Sequence, residues 1–366
     1  MAANSERLAR VIVDAHEDLA WNMVTFERDY TRTIEQTRQL EGAGPTVEHN
    51  GQTLLGWPDW IEGEVGLIFA TLYASPEHMR YGPWDFVTYR DEEEAFRRYW
   101  RQLDIYHRWF DDNHDKFRLI DEGAGLAAHF EEWNEGERRL GVVLLMEGAE
   151  GIRHPQQLPE WYERGLRIIG PAWDRTRYVG SAYEPGSWTA LGYELLEIMA
   201  ELDMVLDLSH LSEQAALEAL DRYPGVIIAS HANPRWLMPN AKYPERFLSQ
   251  TTVERLVERQ GVIGIVLCNR FLKDGWTIGD ERTLVTVQDV VAHIDAICQL
   301  VGDADHVGFG SDFDGGFGLD QVPQGLDGIG DLAKIGVALG RQGYQESDIL
   351  KVLGGNWTRL LQRAFD

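Results

Sequence analysis

Cysteine is scarce in this chain of 366 residues: there are two, Cys268 and Cys298, and no CxxC pair. That excludes a disulfide framework and suits a reducing cytoplasm, although two cysteines can pair with each other. Long apolar runs are missing too. No stretch approaches the roughly 18 apolar residues that cross a bilayer. The opening MAANSERLARVIVDAHEDL lacks the apolar core of a signal peptide, and the closing RLLQRAFD carries no anchor signal. Basic residues are outnumbered, 34 against 60 acidic, for a net charge of −26. A field of that sign repels phosphate backbones and anionic membrane surfaces, so neither nucleic acid nor membrane is expected as a partner. Diffuse acidity suits solubility, or a salty or hot habitat, equally well. No GxGxxG or Walker-type loop supports a nucleotide site. No repeat, low-complexity tract or linker divides the chain, so residues 1–366 are read as a single domain.

What is present is a globular balance, 44% hydrophobic and 26% charged, rich enough for a large core. Thirteen tryptophans point to packing and pocket walls. Short apolar runs alternate with helical stretches. The candidate strands are Val11–Ala15, Val65–Tyr73, Gly141–Met146, Leu166–Gly170, Met204–Leu208, Val226–Ala229, Val262–Val266 and His306–Gly310. Most are continuous apolar runs, as expected of strands buried on both faces. The candidate helices are Glu92–Phe117, Ala190–Leu202, Ser212–Tyr223, Thr251–Gln260, Thr286–Val301 and a closing Ser347–Ala364. Ser212 followed by Glu213 and Gln214 marks a helix start. Eight strands alternating with helices predict a closed α/β (β/α)8 TIM barrel with a C-terminal helical closure. A doubly wound open sheet is the alternative.

In such a barrel, chemistry sits at the C-terminal ends of the strands. The first strand ends in Asp14-Ala15-His16-Glu17-Asp18, which puts His16 and Asp18 on one side of an extended segment. That pair can chelate a divalent metal, and a plain strand-end turn explains it as well. Glu147 follows five apolar residues, where a carboxylate needs a cation or an arginine partner. The fifth and sixth strands each deliver a histidine, His210 and His231, at the same relative point. One such histidine is more often a satisfied core residue; two on successive strands favour ligands. The eighth ends in Gly310-Ser311-Asp312-Phe313-Asp314, placing Asp312 as an acid/base or extra ligand and Asp314 as a turn former. Nitrogen and carboxylate donors without thiolate suit zinc, with manganese or cobalt as alternatives. Six groups exceed one catalytic zinc and imply two metals, bridged by a carboxylate and a hydroxide that attacks a polarised carbonyl. A nearby carboxylate then moves the proton to the leaving group. His107, His114 and His129 read as surface residues, His293 sits within a helix, His306 begins a strand, and His49, His78 and His154 lie in loops.

These motifs resemble the membrane (renal) dipeptidase family, peptidase family M19. VIVDAHEDLAW resembles its opening, with Trp21 three residues after the His-x-Asp. LLMEGAEGI, LDLSHLS, IIASHANPR and HVGFGSDFDG resemble its later segments in the same order, and GGNWTRL resembles its closing helix. The resemblance implies that His16 and Asp18 bind one zinc, His210 and His231 the other, that Glu147 bridges them and that Asp312 shuttles the proton. It also implies an arginine for the substrate carboxylate. Arg246 is the best match, displaced by a few residues from the family's spacing; Lys242 is the alternative, and a surface arginine is the plain reading. Trp21 and Trp173 join Arg246 as expected substrate contacts.

Three departures stand out. Trp173 occupies the place of a fourth-strand histidine that contacts the substrate carbonyl, and an indole donates one hydrogen bond but accepts no proton. Arg175, Arg177 or the Trp173 N–H is expected to take over that role. Glu150 adds a negative charge near the site. The secretion and anchoring signals of animal members are absent. The leading expectation is therefore a cytoplasmic binuclear zinc dipeptidase, acting on peptides with an L- or D-residue at the C-terminal position and forming a homodimer as the family does. The alternative keeps the metals but takes N-acyl amino acids, another amide or a lactone. A barrel that binds without catalysis is the third reading, and the six intact metal-proximal residues speak against it.

Overall fold

The computed structural model describes residues 11–365, and the apolar runs pair in it as parallel strands. In chain order they are β1 (Ile12–Glu17), β2 (Val65–Tyr73), β3 (Leu140–Glu147), β4 (Leu166–Gly170), β5 (Val205–Asp207), β6 (Ile227–Ile228), β7 (Ile263–Ile265) and β8 (Val307–Phe309). Every residue in them is buried. Helices cover the outer face and side chains fill the inner one, which is why the strands show no polar alternation. Neighbours run β7-β8-β1-β2-β3-β4-β5-β6. A parallel bridge between Ala229 and Ile263 closes the ring from β6 to β7. The chain is thus a (β/α)8 barrel, and the open doubly wound sheet is excluded.

The helices begin where the sequence offers caps. Ser212 accepts from the Ala215 N–H at 3.2 Å at the head of Glu213–Arg222, and Thr286 caps Val287–Val301. One boundary is corrected. The helix expected over Glu92–Phe117 stops at Asp112. Polar Asn113, His114 and Asp115 break it, and Phe117–Leu119 instead pairs alongside the start of β3. A second correction concerns His129. It lies on an unforeseen helix, Gly123–Glu135, and is buried rather than at the surface, with Nε2 2.7 Å from the Gly66 carbonyl. His107 is half-buried against the Arg164 carbonyl, and His114 is exposed.

The C-terminal closure is a helix Glu346–Leu350, a π turn Lys351–Gly355 and a helix Asn356–Phe365. Trp357 donates to the Phe309 carbonyl at 3.0 Å, and Asn356 donates to Ala304 and Val307. Trp357, Leu360 and Leu361 pack with Val13, Leu67, Phe69, Val143, Leu145 and Ile168, filling the barrel below the strand ends. Gly354 makes this approach possible, because a Cβ there would strike the Val11 carbonyl. No helix among the described residues is long and apolar enough to cross a membrane. The expectation about an N-terminal leader falls on residues 1–10, outside the described residues.

Candidate metal centre and cleft

The strand ends are tied to one another before any ligand is considered. Asp14, inside β1, accepts from the Ser311 N–H at 2.7 Å and from its hydroxyl. The Asp312 N–H donates to the His16 carbonyl at 3.1 Å. The ends of β1 and β8 are therefore hydrogen-bonded to each other. His210 and Asp312 adopt φ of 66° and 62°. Non-glycine residues in this left-handed region cost about 1–3 kcal/mol each and persist where the surroundings hold them. Asp314 does more than form a turn. Its carboxylate is buried and accepts from Arg28 at 2.9 Å, Tyr30 at 2.8 Å, Thr53 at 2.7 Å and the Leu54 N–H at 2.9 Å. It fastens the long β1–β2 excursion to the end of β8.

Six side chains singled out from the sequence meet at this end of the barrel. The Nε2 atoms of His210, His231 and His16 lie 3.1, 3.3 and 3.6 Å from Glu147 Oε1. His16 Nε2 is 3.9 Å from Asp18 Oδ2. Among these six, two sets could each hold a metal ion: His16, Glu147 and His231, and His16, Asp18 and Asp312, with ligand atoms all within 4.8 Å of one another in each set. His16 belongs to both, where the resemblance implied that His16 and Asp18 hold one ion, His210 and His231 the other, with Glu147 between them.

A ring of residues that the sequence did not flag orients these donors. The Ser230 hydroxyl donates to Asp207 Oδ2, while Asp207 Oδ1 accepts from the N–H groups of Ser209 at 3.0 Å and Ser230 at 2.8 Å. A hydroxyl has one proton to give. With that proton on Asp207, the Ser230 oxygen acts as an acceptor toward His231 Nδ1 at 2.8 Å, His16 Nδ1 at 3.3 Å and the Ser209 hydroxyl at 3.3 Å. An imidazole that donates from Nδ1 to this oxygen aims a bare Nε2 lone pair at the centre. His16 Nε2 is buried and has no hydrogen-bond partner. Gly264 and Gly310 leave the room for this, because a Cβ on either would collide with the Ser230 carbonyl.

The electrostatics agree. Burial pushes the Glu147 carboxyl up to about 8 and Asp18 up to about 6, and holds Asp312 well above the usual carboxylate range. Burial also keeps His210 and His231 far below the usual imidazole value, hence neutral. Neutral imidazoles and crowded carboxylates are the donor set a divalent cation satisfies. The residues fit such an ion.

Above the centre opens a narrow cleft with about 50 Å³ of room. Asp18, Glu147, His210 and Asp312 form its floor, and Trp21, Trp173 and Arg246 its walls. Arg246 is buried, with Nη1 donating to the His231 carbonyl at 2.9 Å, so it is not a surface arginine. Lys242 is exposed, over the Tyr243 ring. Trp173 meets Tyr73 edge-on with ring centres 5.1 Å apart. Arg177 is bound to Glu150 at 2.8 Å and to the Ile152 carbonyl, so neither Arg177 as carbonyl partner nor Glu150 as free charge survives. Arg175 is exposed and does not line the cleft. Sequence reading missed Tyr73, Tyr81, Tyr183, Arg270 and Phe271 in the wall. Tyr73 ends β2 and could have been found by the strand-end rule.

Comparison with known proteins places this geometry. The family model described as membrane dipeptidase (peptidase family M19) matches residues 5–365. An uncharacterized protein in the pqqA 5' region of Klebsiella pneumoniae is 29% identical over 276 residues, covering 73% of this chain and 96% of that protein. The dipeptidase tcpJ of Claviceps purpurea is 25% identical over 315 residues, 84% of this chain and 68% of that one. Among solved structures, the metallo peptidase of Rhodobacter sphaeroides liganded with a phosphinate mimic of the dipeptide L-Ala-D-Ala superposes with a TM-score of 0.77 at 22% identity, over 97% of this chain and 99% of that one.

Proposed function

The chain belongs to the membrane dipeptidase family, peptidase family M19, a family of metallopeptidases that cleave peptide bonds, and we propose that it hydrolyses dipeptides with two divalent ions, zinc first among them. One observation supports this reading above the others: three buried histidine Nε2 atoms converge on one oxygen of Glu147, with Asp18 and Asp312 beside them.

His16, His231, His210, Asp18, Glu147 and Asp312 would hold the ions, with Glu147 shared between them. Bound there, the metals supply Lewis acidity and a water activated near neutral pH. The chain's own groups do the rest. Arg246 offers its guanidinium in the cleft wall as a partner for the substrate's terminal carboxylate. Asp312, which lines the cleft, would take a proton from the attacking water and return it to the leaving amine nitrogen. Trp21, Tyr73 and Trp173 wall off bulk water and limit side-chain size. A dipeptide with either configuration at its C-terminal residue belongs to the proposed substrate class.

Trp173 in the wall motivates a second reading, hydrolysis of N-acyl amino acids, another amide or a lactone at the same centre, because it cannot accept a proton as histidine does. A cytoplasmic homodimer completes the proposal, with sedimentation reporting the assembly. The test is metal analysis of the purified chain together with hydrolysis of L,L and L,D dipeptides and N-acyl amino acids. Two zinc per chain with chelator-sensitive peptide turnover supports the first reading. Acyl turnover without peptide turnover favours the second, and a chain that takes up no metal defeats both.

A further inference from the structure

Arg270 stands in the cleft wall beside Arg246. Among the described residues it is the one arginine below full exposure that makes neither an ion pair nor a hydrogen bond, and its Nε is buried without a partner. Other sheltered arginines are committed: Arg177 to Glu150, Arg167 to Asp121, Arg282 to carbonyls of Val322, Pro323 and Leu326. In a chain of net charge −26, a sheltered cation without an anion is out of keeping with its surroundings. The cleft's three carboxylates, Asp18, Glu147 and Asp312, all stand in the candidate metal centre, so none is spare to neutralise it.

The position is as informative as the missing partner. The guanidinium carbons of Arg246 and Arg270 lie 5.1 and 5.0 Å from the centre of the same ring, Phe271. They are therefore at most about 10 Å apart. A bidentate arginine–carboxylate pair spans about 4 Å from carbon to carbon. Two such pairs, angled toward each other and joined through an amino acid whose carboxyl carbons are three or four bonds apart, bridge guanidinium carbons about 10 Å apart or closer. Aspartate and glutamate are such amino acids.

We propose that Arg270 is a specificity residue that receives the side-chain carboxylate of the substrate's C-terminal residue, so that the preferred substrates are dipeptides ending in aspartate or glutamate. This rests on the dipeptidase reading, in which Arg246 holds the terminal carboxylate.

The test compares kcat/KM of the metal-loaded chain on Ala-Glu with its neutral isostere Ala-Gln, and on Ala-Asp with Ala-Asn. The acidic member is expected to win by roughly 10- to 100-fold, the range of a charge-assisted hydrogen bond. Arg270→Met should bring the ratio close to one, and Arg270→Lys should restore part of it, with melting curves showing both variants folded. Calorimetric binding of phosphinate analogues of Ala-Glu and Ala-Gln reads the same discrimination without turnover. If no dipeptide is cleaved but the Glu analogue still binds better through Arg270, the dipeptidase reading fails and the anion subsite stands. Equal kcat/KM and affinity for the paired ligands in the unmodified chain, or a preference that survives Arg270→Met, overturns the proposal.

Discussion

Ser230→Ala removes one oxygen and should disturb three groups at once. That oxygen donates to Asp207 and accepts from His231 at 2.8 Å and His16 at 3.3 Å. Without it, the buried Asp207 Oδ2 loses its donor. An unsatisfied buried group costs about 1–3 kcal/mol, toward the upper end for a charge. The two Nδ1–H groups lose their acceptor, and with it the bias toward the tautomer that bares Nε2. Loss of such an orienting partner typically weakens metal binding 10- to 100-fold. The variant should therefore be destabilised by about 2–4 kcal/mol in urea unfolding of the metal-free chain. It should also give up zinc to a competing chelator at 10- to 100-fold lower chelator activity than the parent. Stability and affinity separate the two effects, since loosened packing lowers the first and the tautomer argument requires the second. A Ser230→Ala chain that keeps its zinc against the chelator as well as the parent does would refute the reasoning.

Three further perturbations follow from the structure. Burial lowers His129 and His293 to about 4, so both stay neutral in the fold and take up protons on unfolding below pH 6.5. Stability is complete above that pH and falls toward pH 4 by about 3 kcal/mol for each; urea titrations at pH 7 and 4.5 should show a smaller drop in His129→Gln and in His293→Gln. Asp314→Ala strips the buried Arg28 of a partner 2.9 Å away and leaves it only Glu41 and carbonyl contacts; the expected loss is about 3 kcal/mol by denaturation, and a neutral result would deny Asp314 its role as anchor. Trp173→His restores a group that can accept a proton, and dipeptide kcat/KM should rise roughly ten-fold; unchanged turnover would mean that this wall position does not set specificity.

The barrel was legible because strands buried on both faces are written as unbroken apolar runs, and Leu166–Gly170 and Val65–Tyr73 came out residue for residue. Elsewhere the apolar run outlasts the hydrogen-bonded ladder, as at Met204–Leu208 against Val205–Asp207. Phe117–Leu119 was lost because it follows a helix with no glycine or proline between them. His129 was misread because charge in the flanking sequence says nothing about which helix face packs on the barrel. In the site, imidazoles and carboxylates after buried runs were visible because such groups need partners. Ser230 and Asp207 were not, since their importance lies in the hydrogen bonds by which they orient the imidazoles. Arg270 was hidden for a different reason: it follows a strand that ends in no histidine or acid, and its charge matters because of what the fold withholds from it.

The same burial that leaves these donors short of partners should make metal loading measurable as acid. In the protein alone, burial away from water keeps protons on the carboxylates: Glu147 has its midpoint near 8, Asp18 near 6, and Asp312 lies well above the ordinary range. At pH 7 a group with a midpoint of about 8 is mostly protonated, and His210 and His231, held neutral, have nothing to release. A divalent ion needs the carboxylates ionised, so binding must expel their protons. Loading the metal-free chain with zinc at pH 7 should release about one to two protons per chain from Glu147 and Asp312, and the number should fall as the pH is raised past 8. Calorimetric titration in buffers of different ionisation enthalpy counts them. A Glu147→Gln chain should release fewer at pH 7, because the amide has no proton to lose. Metal uptake with no proton release at pH 7 would mean that the carboxylates are already ionised without the ion, and that something other than proton uptake balances their charge.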